Sequence, residues 1–407
     1  MKTAEVTIER VAAGGDGVAR TEGIVVFVPR SAPGDRARVT LDVRKRFARG
    51  TIEALIDSSP DRVEPPCDHY RVDRCGGCQL QHMNYTAQLE AKRGIVHDAL
   101  SRIGKRAVEL PSIESSPKAW RYRQKLTLGM KRRRGGGWVI GLHPYDDPVG
   151  VFQLNDCPIT DERVVSVWRE VMAAHEHFPP ADELRAFVQV ADTCVVVVME
   201  GANEWPARAA FFRAVPSASA LWWKPTNRAR SLVASRDNAS ASFAQVNREV
   251  GARLHAYVLE RARAHKPYLV VDAYSGSGAT AIPLAREGRR VVAIEADREA
   301  TARCAAELPE GSRAIAARVE DVIGKNLPAD VVLVNPPRVG IHPTVAEALQ
   351  ATAPAPRAVI YVSCDPATLA RDLTRLPRYR VASLRAFDMF PQTAHVETVC
   401  ELVPEVA

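Results

Sequence analysis

"YLVVDAYSGSGAT" (residues 268–280) is an apolar run that ends at Asp272 and opens into Gly276 and Gly278. A short continuous apolar run before turn residues predicts a strand buried on both faces, and the glycines let the backbone turn closely around a ligand at its carboxyl end. The figure repeats downstream: "RRVVAIEAD", "SRAIAAR", "ADVVLVNPP" and "RAVIYVSC" alternate with helix-like stretches from about residue 240. Such alternation predicts a parallel sheet with helices on both faces, a Rossmann-like α/β domain that gathers ligands at the carboxyl ends of its strands. Glu295, at the end of the next strand, is placed to accept hydrogen bonds from ribose hydroxyls. Ala281 also completes a relaxed dinucleotide fingerprint. Acidic groups at the first two strand ends would repel a pyrophosphate and suit a ribose joined to a cationic amino-acid group. S-adenosylmethionine (SAM) is therefore expected over NAD.

"RAVIYVSCDPATLARDL" (357–373) puts Cys364 at the carboxyl end of another strand, just before a helix. A thiol there is either a small core hydrophobe or a nucleophile, and the helix N-terminus is expected to lower its pKa. In "PQTAHVETVCEL" (391–402), Glu397 stands in an apolar strand-like run. It is either a solvated edge residue or a functional carboxylate.

The chain has 407 residues, which predicts two or three domains. No apolar run approaches the ~20 residues needed to span a bilayer, and the N-terminus lacks a signal core, so a cytoplasmic protein without membrane association is expected. Residues 1–150 carry 26 Lys and Arg against 18 Asp and Glu, while the remainder carries 29 against 30. The excess positive charge in the first third, with "RKRFAR" (44–49) and "MKRRR" (130–134), suits a polyanion such as RNA. Residues 1–60 read as short strands broken by Gly and Pro, an OB-like β-barrel. "WRYRQK" (120–125) reads as an RNA-holding strand, with Arg121, Arg123 and Lys125 for phosphates and Trp120 or Tyr122 for stacking. Of eight cysteines, Cys67, Cys75 and Cys78 cluster, and Cys157 precedes Pro158. Zinc and an iron–sulfur cluster are both open readings, the latter sharing the pattern of three close thiols and a distant one before proline. Cys194 is expected in a core. His82 is expected to be structural rather than catalytic.

"SFAQVN" (242–247), "DAYSGSGAT", "NPPRVGIHP" (335–343), "YVSCDPATLARDL" and "AHVETV" (394–399) occur in the order seen in the RNA uracil-5-methyltransferases, which this chain resembles over nearly its whole length. "CGGCQLQHM" (75–83) and the barrel, similar to a TRAM domain, resemble the ribosomal-RNA members. The resemblance implies methyl transfer from SAM to carbon 5 of a uridine in RNA, 23S ribosomal RNA in preference to tRNA, through a covalent cysteine adduct at carbon 6. It implies Cys364 as nucleophile and Glu397 as base. Gln245, Asp272, Tyr274, Gly276, Gly278, Glu295 and Asn335 would line the SAM site, although the family commonly has Asp where Asn335 stands. It also implies a [4Fe-4S] cluster on Cys67, Cys75, Cys78 and Cys157. The Cys67–Cys75 spacing exceeds the family's usual one by two residues, which makes Cys67 the least secure ligand and leaves Asp68 or His69 as substitutes.

The expected organisation is a TRAM-like barrel over 1–62, a cluster-bearing α+β RNA-binding domain over 63–84 and 110–235, and a catalytic Rossmann-like domain over 85–109 and 236–407. No obligate protein partner is inferred. Two other readings stay open: an N-methyltransferase using Asn335-Pro336-Pro337, and a non-catalytic iron–sulfur RNA scaffold.

Overall fold

A computed structural model describes residues 2–191, 193–236 and 245–405. Ser242, Phe243 and Ala244 of the "SFAQVN" motif lie outside the described residues. Among the described residues, three sheets organise the fold. The first contains β1 (Lys2–Thr7), β2 (Arg10–Val11), β3 (Gly17–Thr21), β4 (Ile24–Val28), β5 (Arg36–Val43) and β6 (Phe47–Asp57), in the order β1-β5-β6-β4-β3-β2. β1 also packs on β3, so the sheet curls around Val6, Val26, Val28 and Val39. This is the small β unit that the N-terminal alternation predicts.

After β7 (Ser112–Glu114), the second sheet contains β8 (Lys125–Arg132), β9 (Trp138–Leu142), β10 (Phe152–Gln153), β11 (Glu183–Ala191), β12 (Cys194–Glu200), β13 (Ala220–Lys224) and β14 (Ser231–Ser235). The helix Glu162–Ala173 buries Val164, Val167, Trp168 and Val171 in this sheet's core.

The third sheet holds β15 (Leu269–Ala273), β16 (Arg290–Glu295), β17 (Arg313–Ala316), β18 (Val331–Val334), β19 (Ala358–Ser363), β20 (Tyr379–Phe387) and β21 (Glu397–Pro404). Its order is β17-β16-β15-β18-β19-β21-β20-β7. β15 to β19 are mutually parallel and nearly all apolar, because helices cover both faces; β21 runs antiparallel between β19 and β20. The order reverses between β15 and β18, the crevice where such sheets bind ligands. Ser112–Glu114, expected in the central domain, instead pairs with β20 at the edge of this sheet.

The helix Tyr85–Asp98, capped by Asn84, continues through a π-helical turn to Gly104 and packs on the third sheet. Its Ala87 and Ile95 meet Val11 and Ala32 of the barrel, Leu80 of the cysteine segment and Ala394 in one apolar cluster. Among the described residues no helix is long and apolar enough to cross a membrane.

Candidate active site

β19 ends at Ser363, and Cys364 follows half-buried. Asp365 then caps the helix Pro366–Thr374, accepting from the amides of Ala367 and Thr368 at 2.9 and 3.0 Å, with Pro366 in the first turn where no amide is needed. Ser363 lies opposite Thr398 in the antiparallel β19–β21 pair. Cys364 and Glu397 flank this last pair at the end of the ladder, near enough for their charges to act on one another. Two residues 33 apart in sequence are thereby brought together at the carboxyl edge of the sheet.

Their charges interact. Burial pushes the Cys364 thiol above its ordinary pKa, and the Glu397 carboxylate pushes it further, while Arg338 acts in the opposite direction. Glu397 is itself pushed up to about 7 by desolvation, against the pull of Arg338. The expectation of a thiol acidified by the helix N-terminus is therefore corrected: Asp365 already occupies those amides with its own negative charge. Arg338, an exposed guanidinium with no hydrogen-bond partner among the described residues, lies beside both groups. Its loop is pinned from beneath: the buried Asp372 accepts from the Ile341 amide at 2.9 Å and the Tyr361 hydroxyl at 2.7 Å. Gly340, at φ +83°, has no room for a side chain, since a Cβ would lie 2.2 Å from Asp372 Oδ2.

At the crevice, Asp272 is buried under the glycine turn and accepts from Thr280 Oγ1 at 2.6 Å. Desolvation raises its pKa to about 7, with Glu295 adding to the rise. Tyr274 is held at φ +62°, a conformation costly for a residue with a Cβ and typical of ligand-binding turns. Gly278, at φ +91°, sits where a Cβ would meet Cys304 Sγ at 2.6 Å. Glu295 accepts from the Gly276 amide at 3.0 Å and the Asp297 amide at 2.8 Å, which fixes the turn's shape. The Asn335 amide donates to Ala273 O at 3.2 Å, joining its exposed loop to the crevice. Gln245 packs against Gly251 in the helix Arg248–Ala264. Gly276, Ser277 and Glu295 face Lys125 and Phe187 of the second sheet and Arg230 just before β14 across a cleft of about 600 Å³.

Cys67, Cys75, Cys78 and Cys157 line one cavity of about 110 Å³. Burial pushes the Cys75 thiol up to about 12 and raises Cys78 and Cys157 as well. Among the described residues, no group of three or more ligating side chains is set to hold a single metal ion. Of the candidate substitutes for Cys67, Asp68 is exposed and paired with Arg71, and His69 Nε2 accepts from the Asn155 amide at 3.1 Å.

The "WRYRQK" reading is corrected. Tyr122 is buried against the cysteines, its hydroxyl donating to Pro391 O at 2.9 Å. Arg121 grips Asp156 through two bonds and also holds Cys157 O. The Arg123 Nε donates to Lys125 O, and the Lys125 ammonium sits 4.0 Å above the Phe187 ring. These side chains build the cysteine loop and the cleft wall. Cys194, expected in a core, is half-exposed at the start of β12. His82 is buried as expected, its Nδ1 bonded to the Tyr70 hydroxyl at 2.7 Å.

Residues 305–403 match the family model described as tRNA (uracil-5-)-methyltransferase, and residues 1–52 match the TRAM domain. An uncharacterized RNA methyltransferase of Halalkalibacterium halodurans is 31% identical, covering 98% of this chain and 96% of its own length. Another from Gloeobacter violaceus is 33% identical over the same shares. The crystal structure of Pyrococcus abyssi tRNA (uracil-54, C5)-methyltransferase with S-adenosyl-L-homocysteine superposes with a TM-score of 0.70, over 98% of this chain and 100% of that one, at 24% identity, which shows a shared fold. The chain belongs to the RNA (uracil-5-)-methyltransferase family of SAM-dependent enzymes, with a TRAM domain at its N-terminus.

Proposed function

We propose that the protein methylates carbon 5 of a uridine in RNA through a covalent adduct between Cys364 and carbon 6. The observation that carries this reading is the thiol of Cys364 and the carboxylate of Glu397 close together at the sheet edge, with Arg338 beside both. Carbon 5 of uracil is a poor nucleophile. Addition of the Cys364 thiolate to carbon 6 moves an electron pair towards carbon 5 and the carbonyl at carbon 4, and carbon 5 then takes the methyl group from SAM, releasing S-adenosylhomocysteine. Glu397 removes the carbon-5 proton, the 5,6 double bond re-forms, and the thiolate leaves. Arg338 offsets the negative charge that the thiolate and carboxylate bring together. The N-methyltransferase reading has no use for this pair, and a scaffold needs neither group. A stacked target base must be turned out of its helix or loop to reach the thiol. Digestion of RNA treated with protein and SAM, followed by mass spectrometry, is expected to yield 5-methyluridine; methyl groups confined to nitrogen would overturn the reading.

For SAM, Glu295 is assigned to the ribose, Asp272 to the amino-acid end through the turn above it, and Gly276 and Gly278 to close backbone approach, with Tyr274, Asn335 and Gln245 around them. We place the target in 23S ribosomal RNA, on the cysteine set and barrel together. A tRNA target is the second reading, favoured by the full-length fold match to an enzyme acting on tRNA uracil 54. The exposed hairpin tips carrying Lys45–Arg46 and Arg133–Arg134 have no carboxylate partner among the described residues and are suited to phosphates.

The four cysteines are assigned to a [4Fe-4S] cluster. Four soft donors line one cavity, burial disfavours the thiolates of Cys75, Cys78 and Cys157 unless a cation is bound, and the buried Gln81 Oε1 beside them lacks a partner among the described residues. When bound, the cluster would cross-link residues 67–78 to the Cys157 loop; it has no step in methyl transfer. Protein purified without oxygen is expected to be brown and to hold about four irons per chain. Stoichiometric zinc without visible absorbance would refute the assignment.

A further inference from the structure

The loop that delivers Glu397 is held by charges the reaction does not touch. Lys92, on the helix Tyr85–Asp98, and Asp388, just after β20, are both wholly buried and form an ion pair. Lys92 Nζ also donates to Phe390 O at 2.9 Å. Asp388 Oδ2 accepts from the Tyr85 hydroxyl at 2.7 Å, and its amide donates to Glu114 O at 2.9 Å. Farther along the loop, Gln392 is held at φ +69° by two bonds with the Gln88 side chain, each 2.9 Å. The Gln392 carbonyl accepts from the Gln79 and Leu80 amides at 3.1 and 2.9 Å. The segment Asp388–Val396 is thus tied down from the helix and from the end of the cysteine segment, and then becomes β21 with Glu397 as its first residue.

A buried ion pair is a poor source of stability. Desolvating both charges consumes most of their attraction, and apolar replacements are often as stable. What such a pair supplies is a fixed direction, because leaving either charge unpaired is costly. Proton transfer needs that fixity: a displacement near 1 Å at a reacting group can cost about 100-fold in rate. We propose that Lys92 is a positioning residue for this reaction: together with Asp388 it fixes the segment Asp388–Val396, so that the Glu397 carboxylate stays close to Cys364. The proposal rests on the uracil carbon-5 reading above. Lys92 touches no reacting atom; it acts through the loop on the base, and so on the last chemical step alone.

The test compares Lys92→Met with Lys92→Met/Asp388→Asn. The double variant leaves no unpaired charge and keeps an acceptor for Tyr85, so it should fold even where the single variant does not. Turnover on uridine-containing RNA should fall about 10-fold or more, while kcat/KM for RNA and SAM stays within about twofold of wild type, because the slowed step follows methyl transfer. The methylated covalent protein–RNA adduct should accumulate on that RNA, because its release waits for the base. On RNA with 5-fluorouridine, where no proton can leave, the adduct should form at the wild-type rate. Wild-type turnover in the double variant would overturn the proposal. Adduct formation falling in step with turnover would also overturn it, since general loosening of the site does that. Wild-type protein that forms no adduct at all would refute the carbon-5 reading first, and this proposal with it.

Discussion

Cys364→Ala should abolish methyl transfer to uridine, with a loss of about 10⁴-fold or more, the scale expected when a nucleophile that water cannot replace is removed. The same variant should form no covalent band with 5-fluorouridine RNA in the presence of SAM, whereas wild type should form one that survives denaturation. Binding of SAM should stay within about twofold, because the cofactor turn around Gly276 and Glu295 is anchored by its own bonds rather than by Cys364. Folding should be little affected, since the half-buried side chain lies at a strand end and the helix after it is capped by Asp365. Retained methylation in Cys364→Ala would mean that the thiol fills space and that carbon 5 is not activated by addition. Cys364→Ser would not rescue the reaction, because a hydroxyl is far less ionised than a thiol in the same apolar, carboxylate-facing place.

The parallel centre of the third sheet was legible in the sequence because β15, β16, β18 and β19 are largely buried and read as unbroken apolar runs closed by Asp272, Glu295, Asn335 and Cys364. The placement of Asp272, Glu295 and Cys364 at strand ends was legible for the same reason. The pairing of Cys364 with Glu397 was not, because it depends on the register of β21 against β19, which long-range packing sets. Local pattern also misled at 120–125: alternating basic and aromatic residues look alike whether they face RNA or a neighbouring loop, and the Tyr122 bond to Pro391 spans 269 residues. The thiol's direction of shift was misjudged because the dipole argument took the helix end as free, and Asp365, visible in the sequence, had already used it. Lys92 did leave a signal. It lies three residues after Leu89 and four before Val96, on the apolar stripe of its helix, and a lysine on such a stripe needs a buried partner.

Glu397→Gln separates the two halves of the proposed reaction. Turnover should fall by about 10²- to 10⁴-fold, the usual contribution of a positioned general base, while the adduct still forms and then persists on ordinary uridine RNA. The pH dependence gives an independent check. The base works ionised, and its carboxyl is pushed up to about 7, so the rate of adduct release in wild type should rise with pH through about 7 and level off above it. That limb should disappear in the glutamine variant. The thiol should change in the opposite sense. In wild type the Glu397 carboxylate disfavours the Cys364 thiolate, so a neutral amide removes a negative charge and lets the thiol ionise at lower pH. Alkylation of Cys364 by iodoacetamide should therefore be faster in Glu397→Gln than in wild type at any fixed pH between about 7 and the thiol's own pKa. A variant that only damaged the site would lose turnover and leave the thiol slower or unchanged. Loss of turnover joined to a more reactive thiol requires a carboxylate that both faces Cys364 and removes the proton, and unchanged turnover would take Glu397 out of the mechanism.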